Sequence, residues 1–202
     1  MKITREEWLI GASYTLEKHL FGPKNYTSFP KYRVSCSLPS KGAFASKLRR
    51  IGEAWHSSAS ADGTCEIFIS PTIADSYLVA ATLAHELVHV CVGNTAAHGP
   101  VFRKCALAIG LEGKMTATTA SKDLNAFIKD NIISVLGEFP HAVLDQSQVK
   151  KQTTRMLKVI CLNSACNFQN HNQKPYSVRM SQTTYNYAMP YCGACHGLMS
   201  IK

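Results

Sequence analysis

Asp75-Ser76-Tyr77-Leu78-Val79-Ala80-Ala81-Thr82-Leu83-Ala84-His85-Glu86-Leu87-Val88-His89-Val90-Cys91-Val92 is the stretch that decides how this chain folds. Residues 75–92 predict a helix that is apolar nearly all round, and such a helix belongs inside a domain. Gly93-Asn94 closes it. Three titratable residues, His85, Glu86 and His89, interrupt the apolar surface. Side chains four apart share a helix face, so both imidazoles can reach one metal ion, with Glu86 beside the first of them. Two histidines and a glutamate buried without partners would be costly, and a metal removes that cost.

A catalytic zinc takes three protein ligands and keeps one position open. His98 is the third ligand expected, nine residues beyond His89. The chain turns at Gly93, and Gly99-Pro100 begins a new helix that fixes the histidine. Glu86 is then placed to act as acid/base on water at the open position. The chemistry expected is that of a zinc-dependent endopeptidase.

Outward from this helix the pattern is mixed. Residues 4–20 predict an amphipathic helix, with Thr4 and Glu7 as a capping box and Phe21-Gly22-Pro23 as its end. Residues 32–38 alternate as a strand does, 45–55 fit either a strand or a short helix, and 65–70 predict a strand stopped by Pro71. Further helices are expected over 101–111 and 121–136, then a connector over 137–148. From Met156 the pattern changes to short alternating segments between cysteines. The class is α+β, in two domains: 1–147, and a small β-rich unit at 148–202.

Of 202 residues, 46% are hydrophobic and 17% charged, the balance of a globular protein, and no apolar run is long enough for a bilayer. Met1-Lys2-Ile3-Thr4-Arg5-Glu6-Glu7 does not resemble a secretory signal, so the expected location is cytoplasmic, or nuclear in a cell with a nucleus. Thiols there stay reduced. Cys36, Cys65, Cys91 and Cys105 are scattered and expected to be small buried hydrophobes. Cys161 and Cys166, with Cys192 and Cys195, form two knuckles that can close a tetrahedral structural zinc site. His196 competes with Cys195 for the fourth place, and the two-residue gap from Cys192 favours Cys195.

Charge is distributed unevenly. Residues 1–147 carry fifteen Lys and Arg against thirteen acids, net +2, whereas 148–202 carry seven and no acid, net +7. This favours a polyanionic partner, expected to be single-stranded or distorted nucleic acid. Lys150, Lys151, Arg155, Lys158 and Arg179 are the candidate contacts, near Tyr176, Tyr185 and Tyr187, which could stack on bases or pack their own domain. A second basic cluster, Lys47-Leu48-Arg49-Arg50, is either a solvated face or a guide for DNA toward the cleft.

His85-Glu86-Leu87-Val88-His89 followed by His98-Gly99-Pro100-Val101-Phe102 resembles the SprT-like (Spartan-type) zinc metallopeptidases. Ile67-Phe68-Ile69-Ser70-Pro71 is similar to that family's approach to its active helix. In order of elements the resemblance covers residues 1 to about 145, and it is specific across 66–102. It implies a zincin-like domain, His85, His89 and His98 on a catalytic zinc, and Glu86 as catalytic acid/base. Many members carry a C-terminal zinc ribbon, to which the cysteine-rich end is similar. Some degrade proteins crosslinked to DNA, in a DNA-dependent manner. The gap from His89 to His98 departs from the metzincin pattern, and no matching methionine turn is seen. Two other functions fit the same residues: a processing protease independent of DNA, and a zinc-stabilised, transcription-linked binding module with a vestigial histidine site. Intact Glu86 speaks against the latter.

Overall fold

A computed structural model of the chain describes residues 3–43, 45, 49–145, 156–168 and 174–201. The chain divides into two compact units, Met1–Gln146 and Ser147–Lys202. Both mix helices with small sheets.

Thr4 opens the first unit with a reciprocal cap. Its hydroxyl accepts from the Glu7 N–H, and the Glu7 carboxylate accepts from the Thr4 N–H. Helix α1, Arg5–Thr15, runs on into a wider π-helical stretch, Leu16–Phe21. Trp8, Leu9, Ala12, Leu16 and Phe21 are fully buried along one side of it. The Trp8 indole N–H donates to the Gly137 carbonyl at 2.9 Å, and its ring meets Phe139 edge-on at 5.2 Å. The end of the unit is thereby fastened to its beginning.

Strands β1 (Tyr32–Cys36), β2 (Gly52–Trp55) and β3 (Cys65–Ile69) form a sheet in the order β1-β3-β2. β1 runs parallel to the central β3, and β2 antiparallel along its other side. Cys65, Ile67 and Ile69 are buried while Glu66 and Phe68 are less so, the period-two pattern of a strand with one face on the core. The ambiguous 45–55 segment thus becomes strand only in its last four residues, Gly52–Trp55.

Helix α2, Ser76–Val92, is capped by the Asp75 carboxylate, which accepts from the Leu78 N–H at 2.8 Å. Most of its apolar side chains are buried; Leu78, at 42% exposure, is an exception. β2 lies so close to α2 that a Cβ on Gly52 would stand 2.4 Å from Glu86 Oε1 and 2.6 Å from Thr82 Cγ2. Only glycine admits the strand backbone at that distance.

Helix α3, Pro100–Ala108, ends before the predicted 101–111. Gly110, at φ +88°, reverses the chain, and Leu111 opens a hairpin of β4 (Leu111–Lys114) and β5 (Ala117–Ala120). Leu111 is buried, so it satisfied a helical spacing equally well. Ser121 then caps α4 (Lys122–Ile128), which widens over Lys129–Ile133 and closes as α5 (Ser134–Leu136).

In the second unit β6 (Leu157–Cys161) is flanked by β7 (Ser177–Met180) and β8 (Met199–Ile201), both antiparallel to it. α6 (Gln182–Tyr187) follows β7. The buried core is Val159, Cys161, Cys192 and Met199. A core that small does not hold a fold by itself. Among the described residues no helix is long and apolar enough to cross a membrane.

Ser76 joins α2 to the segment after α5: its hydroxyl donates to Glu138 and accepts from the buried Phe139 N–H at 2.8 Å. Ser76→Ala is expected to leave that N–H unpaired and to lower stability by about 1–3 kcal/mol. Urea unfolding measures this, and an unchanged midpoint would contradict it.

Candidate metal centres

Four residues apart on α2, His85 and His89 turn the same way. Gly93 (φ +82°) and Ala97 (φ +43°) bend the chain back, and His98 meets them just before α3 begins. His98 Nε2 stands 3.3 Å from His85 Nε2 and 3.2 Å from His89 Nε2. One N–H on His98 could satisfy one of these neighbours, not both. Two nitrogens bound tetrahedrally to an ion such as zinc, each at about 2.0–2.1 Å, stand roughly 3.3–3.4 Å apart. The spacing is therefore that of ligands around an ion.

Two further residues hold this arrangement: Phe102, which stood in the sequence motif without an assigned role, and Thr118, which no sequence pattern indicated. Phe102, fully buried on α3, packs its ring against all three imidazoles, with centroids 4.9, 4.5 and 4.9 Å from those of His85, His89 and His98. Thr118 on β5 places Oγ1 2.8 Å from His85 Nδ1. With the imidazole proton on Nδ1 donated to Thr118, the Nε2 lone pair faces the ion. Burial lowers the pKa of His85 to about 4, with help from His98, and that of His89 to about 3, with help from His85 and His98. Burial and the Arg50 charge lower His98 as well. All three are neutral, as ligands must be, at neutral pH.

Glu86 is 6% exposed and does not belong to the histidine cluster. Burial pushes its carboxyl up to about 8; the neighbouring Glu53 adds to this, while Arg50 and a hydrogen bond from the Ala54 N–H oppose it. The contact with Gly52 completes the walls around the carboxylate. A glycine within a strand signals close backbone approach, so Gly52 was open to reading had 45–55 been identified as a strand.

In the second unit Cys161, Cys166, Cys192 and Cys195 converge, and Cys195 rather than His196 completes the group. Cys161 Sγ is 3.6 Å from Cys195 Sγ, and Cys166 Sγ is 3.7 Å from Cys192 Sγ. These separations are too long for disulfides, and all four thiols are free. Four sulfurs at about 2.3 Å from one tetrahedral ion would be roughly 3.8 Å apart. The backbone N–H groups of Asn163, Phe168 and Gly197 donate to Cys161, Cys166 and Cys195, each two residues on from its sulfur. The Gly197 N–H, together with the Asn163 side chain, pulls Cys195 down to about 6, toward thiolate. At Cys161 and Cys166 the N–H donors are outweighed by burial and the neighbouring thiols, which push Cys161 up to about 12 and raise Cys166 as well.

The candidate DNA contacts divide in two. Lys150, Lys151 and Arg155 lie outside the described residues, as do Lys47 and Leu48. Lys158 and Arg179 are both exposed and sit directly opposite each other on β6 and β7. Tyr176 and Tyr185 pack on the small core, whereas Tyr187 is 90% exposed. Arg50 pairs with Glu53.

Comparison with protein-family models, with curated proteins and with solved structures returned no match.

Thr118→Val is expected to weaken metal binding at the histidine cluster by about 10–100-fold, read by chelator competition. Unchanged affinity would remove Thr118 from the site. Cys161→Ser is expected to cost one metal per chain and to unfold the second unit, as metal analysis and circular dichroism would report. Full metal content in that variant would contradict the four-sulfur site.

Proposed function

We propose that the protein is a zinc-dependent endopeptidase of the SprT-like type, a zincin-like domain followed by a zinc ribbon, acting on proteins bound or crosslinked to DNA. The observation that carries the reading is the convergence of three imidazole nitrogens next to a buried carboxylate that stands outside their cluster. Three imidazoles with one position left open suit a catalytic zinc, and four thiolates with none left open suit a structural one. When bound, the catalytic zinc would polarise the scissile carbonyl and make water a better acid.

Glu86 takes the proton of the attacking water on its carboxylate and returns it to the leaving amine nitrogen. Burial raises the proton affinity of this carboxyl, which lets it hold the water's proton until the leaving amine takes it. The Ala54 N–H donates to the carboxylate, and the absence of a side chain at Gly52 leaves the room it occupies. Thr118 and Phe102 keep the imidazoles aimed.

The DNA part of the reading is supported by the acid-free, cationic end of the chain. Lys158 opposite Arg179 supports it further, because like charges across a strand pair repel and an anion relieves them. Phosphates bound by such cations make affinity fall with salt.

Glu86→Gln is expected to lower cleavage of a DNA-bound protein by about 10²–10⁴-fold while both metals stay bound. Cleavage assays with and without single-stranded DNA, over a salt series, read the two halves of the proposal separately. Undiminished cleavage by Glu86→Gln would contradict the catalytic role. Equal wild-type cleavage without DNA would contradict the DNA dependence.

A further inference from the structure

The face of β2 turned away from α2 carries an aromatic ring among cations. The Cβ position of Gly52 faces Glu86 on α2, so by alternation Glu53 and Trp55 lie on the opposite face of the strand. Glu53 is buried there. One of its oxygens accepts from the Ser40 hydroxyl at 2.8 Å and from Arg50 Nη1; the other accepts from the Ser40 N–H at 2.7 Å and the Trp55 indole N–H at 3.1 Å. Both oxygens are thereby engaged. Glu53 offers no free acceptor at the surface, and it fixes two of its neighbours, an indole and a guanidinium.

Trp55 is 38% exposed, and among the described residues no other ring stacks on it. It lines a cavity of about 330 Å³ together with Lys41, Arg50 and His56, all three exposed. Arg50 gives one nitrogen to Glu53 and keeps its other donors. His56 accepts the Ser58 N–H at Nδ1, 3.2 Å away, so its own proton sits on Nε2 as a donor. Lys41 has no acidic partner among the described residues. Glu66, opposite Trp55 on β3, is taken up by Arg33. The cavity therefore offers hydrogen-bond donors, positive charge and one flat ring, and its single acid is already satisfied.

An acidic peptide would satisfy the cations and leave the indole face unused. A nucleotide uses both, since its phosphate takes the cations and its base has a π-face for the ring. We propose that this cavity is a nucleic-acid site on the first unit, where a base of a single strand stacks on Trp55 and the flanking phosphates bind Lys41, Arg50 and His56. A single strand is required because a paired base keeps its faces inside the duplex stack. The site goes beyond the proposed function: it needs neither the metal chemistry nor the cations of the second unit. It gives the first unit a contact of its own with the strand that carries a bound protein.

The chain has two tryptophans, and Trp8 is wholly buried. Fluorescence quenching in the full chain, excited where tyrosine does not absorb, therefore reads Trp55 whatever the second unit binds. An oligothymidylate of about four nucleotides is expected to quench it saturably, with an affinity that falls as salt rises. Trp55→Phe is expected to abolish the quenching. Lys41→Gln is expected to lower the slope of log affinity against log salt by about 0.7. Lys129→Gln, which removes an exposed charge after α4, is expected to leave that slope unchanged. Absent quenching, quenching that survives Trp55→Phe or ignores salt, or an unchanged slope in Lys41→Gln would each overturn the site. So would an equal loss of slope in Lys129→Gln. Equal quenching by an abasic oligomer would mean phosphate contacts without stacking, and equal quenching by oligoglutamate would mean an acidic peptide. Thymidine monophosphate binding as tightly as the oligomer would mean a free nucleotide. Each of these three results also overturns it. The DNA dependence of cleavage is judged separately, by the cleavage assays with and without DNA.

Discussion

Three lone pairs pointed at one another repel unless positive charge stands between them, and this repulsion organises the first unit. His85 and His89 come from one helix and His98 from the turn beyond it, so α2, the Gly93 reversal and the start of α3 must hold fixed relative positions. Phe102 contributes by packing on all three rings at once. The β4–β5 hairpin contributes Thr118, a hydroxyl on the outer nitrogen of His85. The sheet contributes through β2, whose glycine backs directly onto the helix. Elements distant in sequence are thus coupled through a group of nitrogen atoms that a metal ion would stabilise.

The two carboxylates beside this group differ because their partners differ. Glu53 receives donors from Ser40 and Trp55 and an ion pair from Arg50, and its proton affinity falls. Glu86, with the Ala54 N–H as a hydrogen-bond donor and more complete burial, has its affinity raised. Two neighbouring acids driven in opposite directions form a pattern seen where one must hold charge and the other must exchange a proton. In the proposed peptidase, Glu53 is the holder and Glu86 the exchanger.

Legibility followed the range of the interactions. The capping box at Thr4 and the apolar run of α2 are local, and both were readable. His98 was readable because Gly93 and Gly99-Pro100 bracket it with a turn and a helix start. The four cysteines were readable as two local pairs, and geometry then preferred Cys195 over His196. The β4–β5 hairpin was not anticipated: Leu111-Glu112-Gly113-Lys114 lacks alternation, and a buried Leu111 extends the helical spacing of α3. Thr118 lies thirty-three residues from His85, so no local pattern carried it. Tyr176 and Tyr185 are apolar packing in the small unit, which cysteine spacing alone left open.

The small unit obeys the same rule with different atoms. A metal held by the four sulfurs would replace hydrophobic area that fifty-odd residues cannot supply, and backbone N–H groups donate to three of the sulfurs. X-ray absorption on the zinc-loaded full chain tests both centres together. Two zinc ions per chain are expected, with an average shell of about two sulfurs at ~2.3 Å and about two nitrogen or oxygen atoms at ~2.0–2.1 Å. A single zinc surrounded by four sulfurs would mean that His85, His89 and His98 hold no metal.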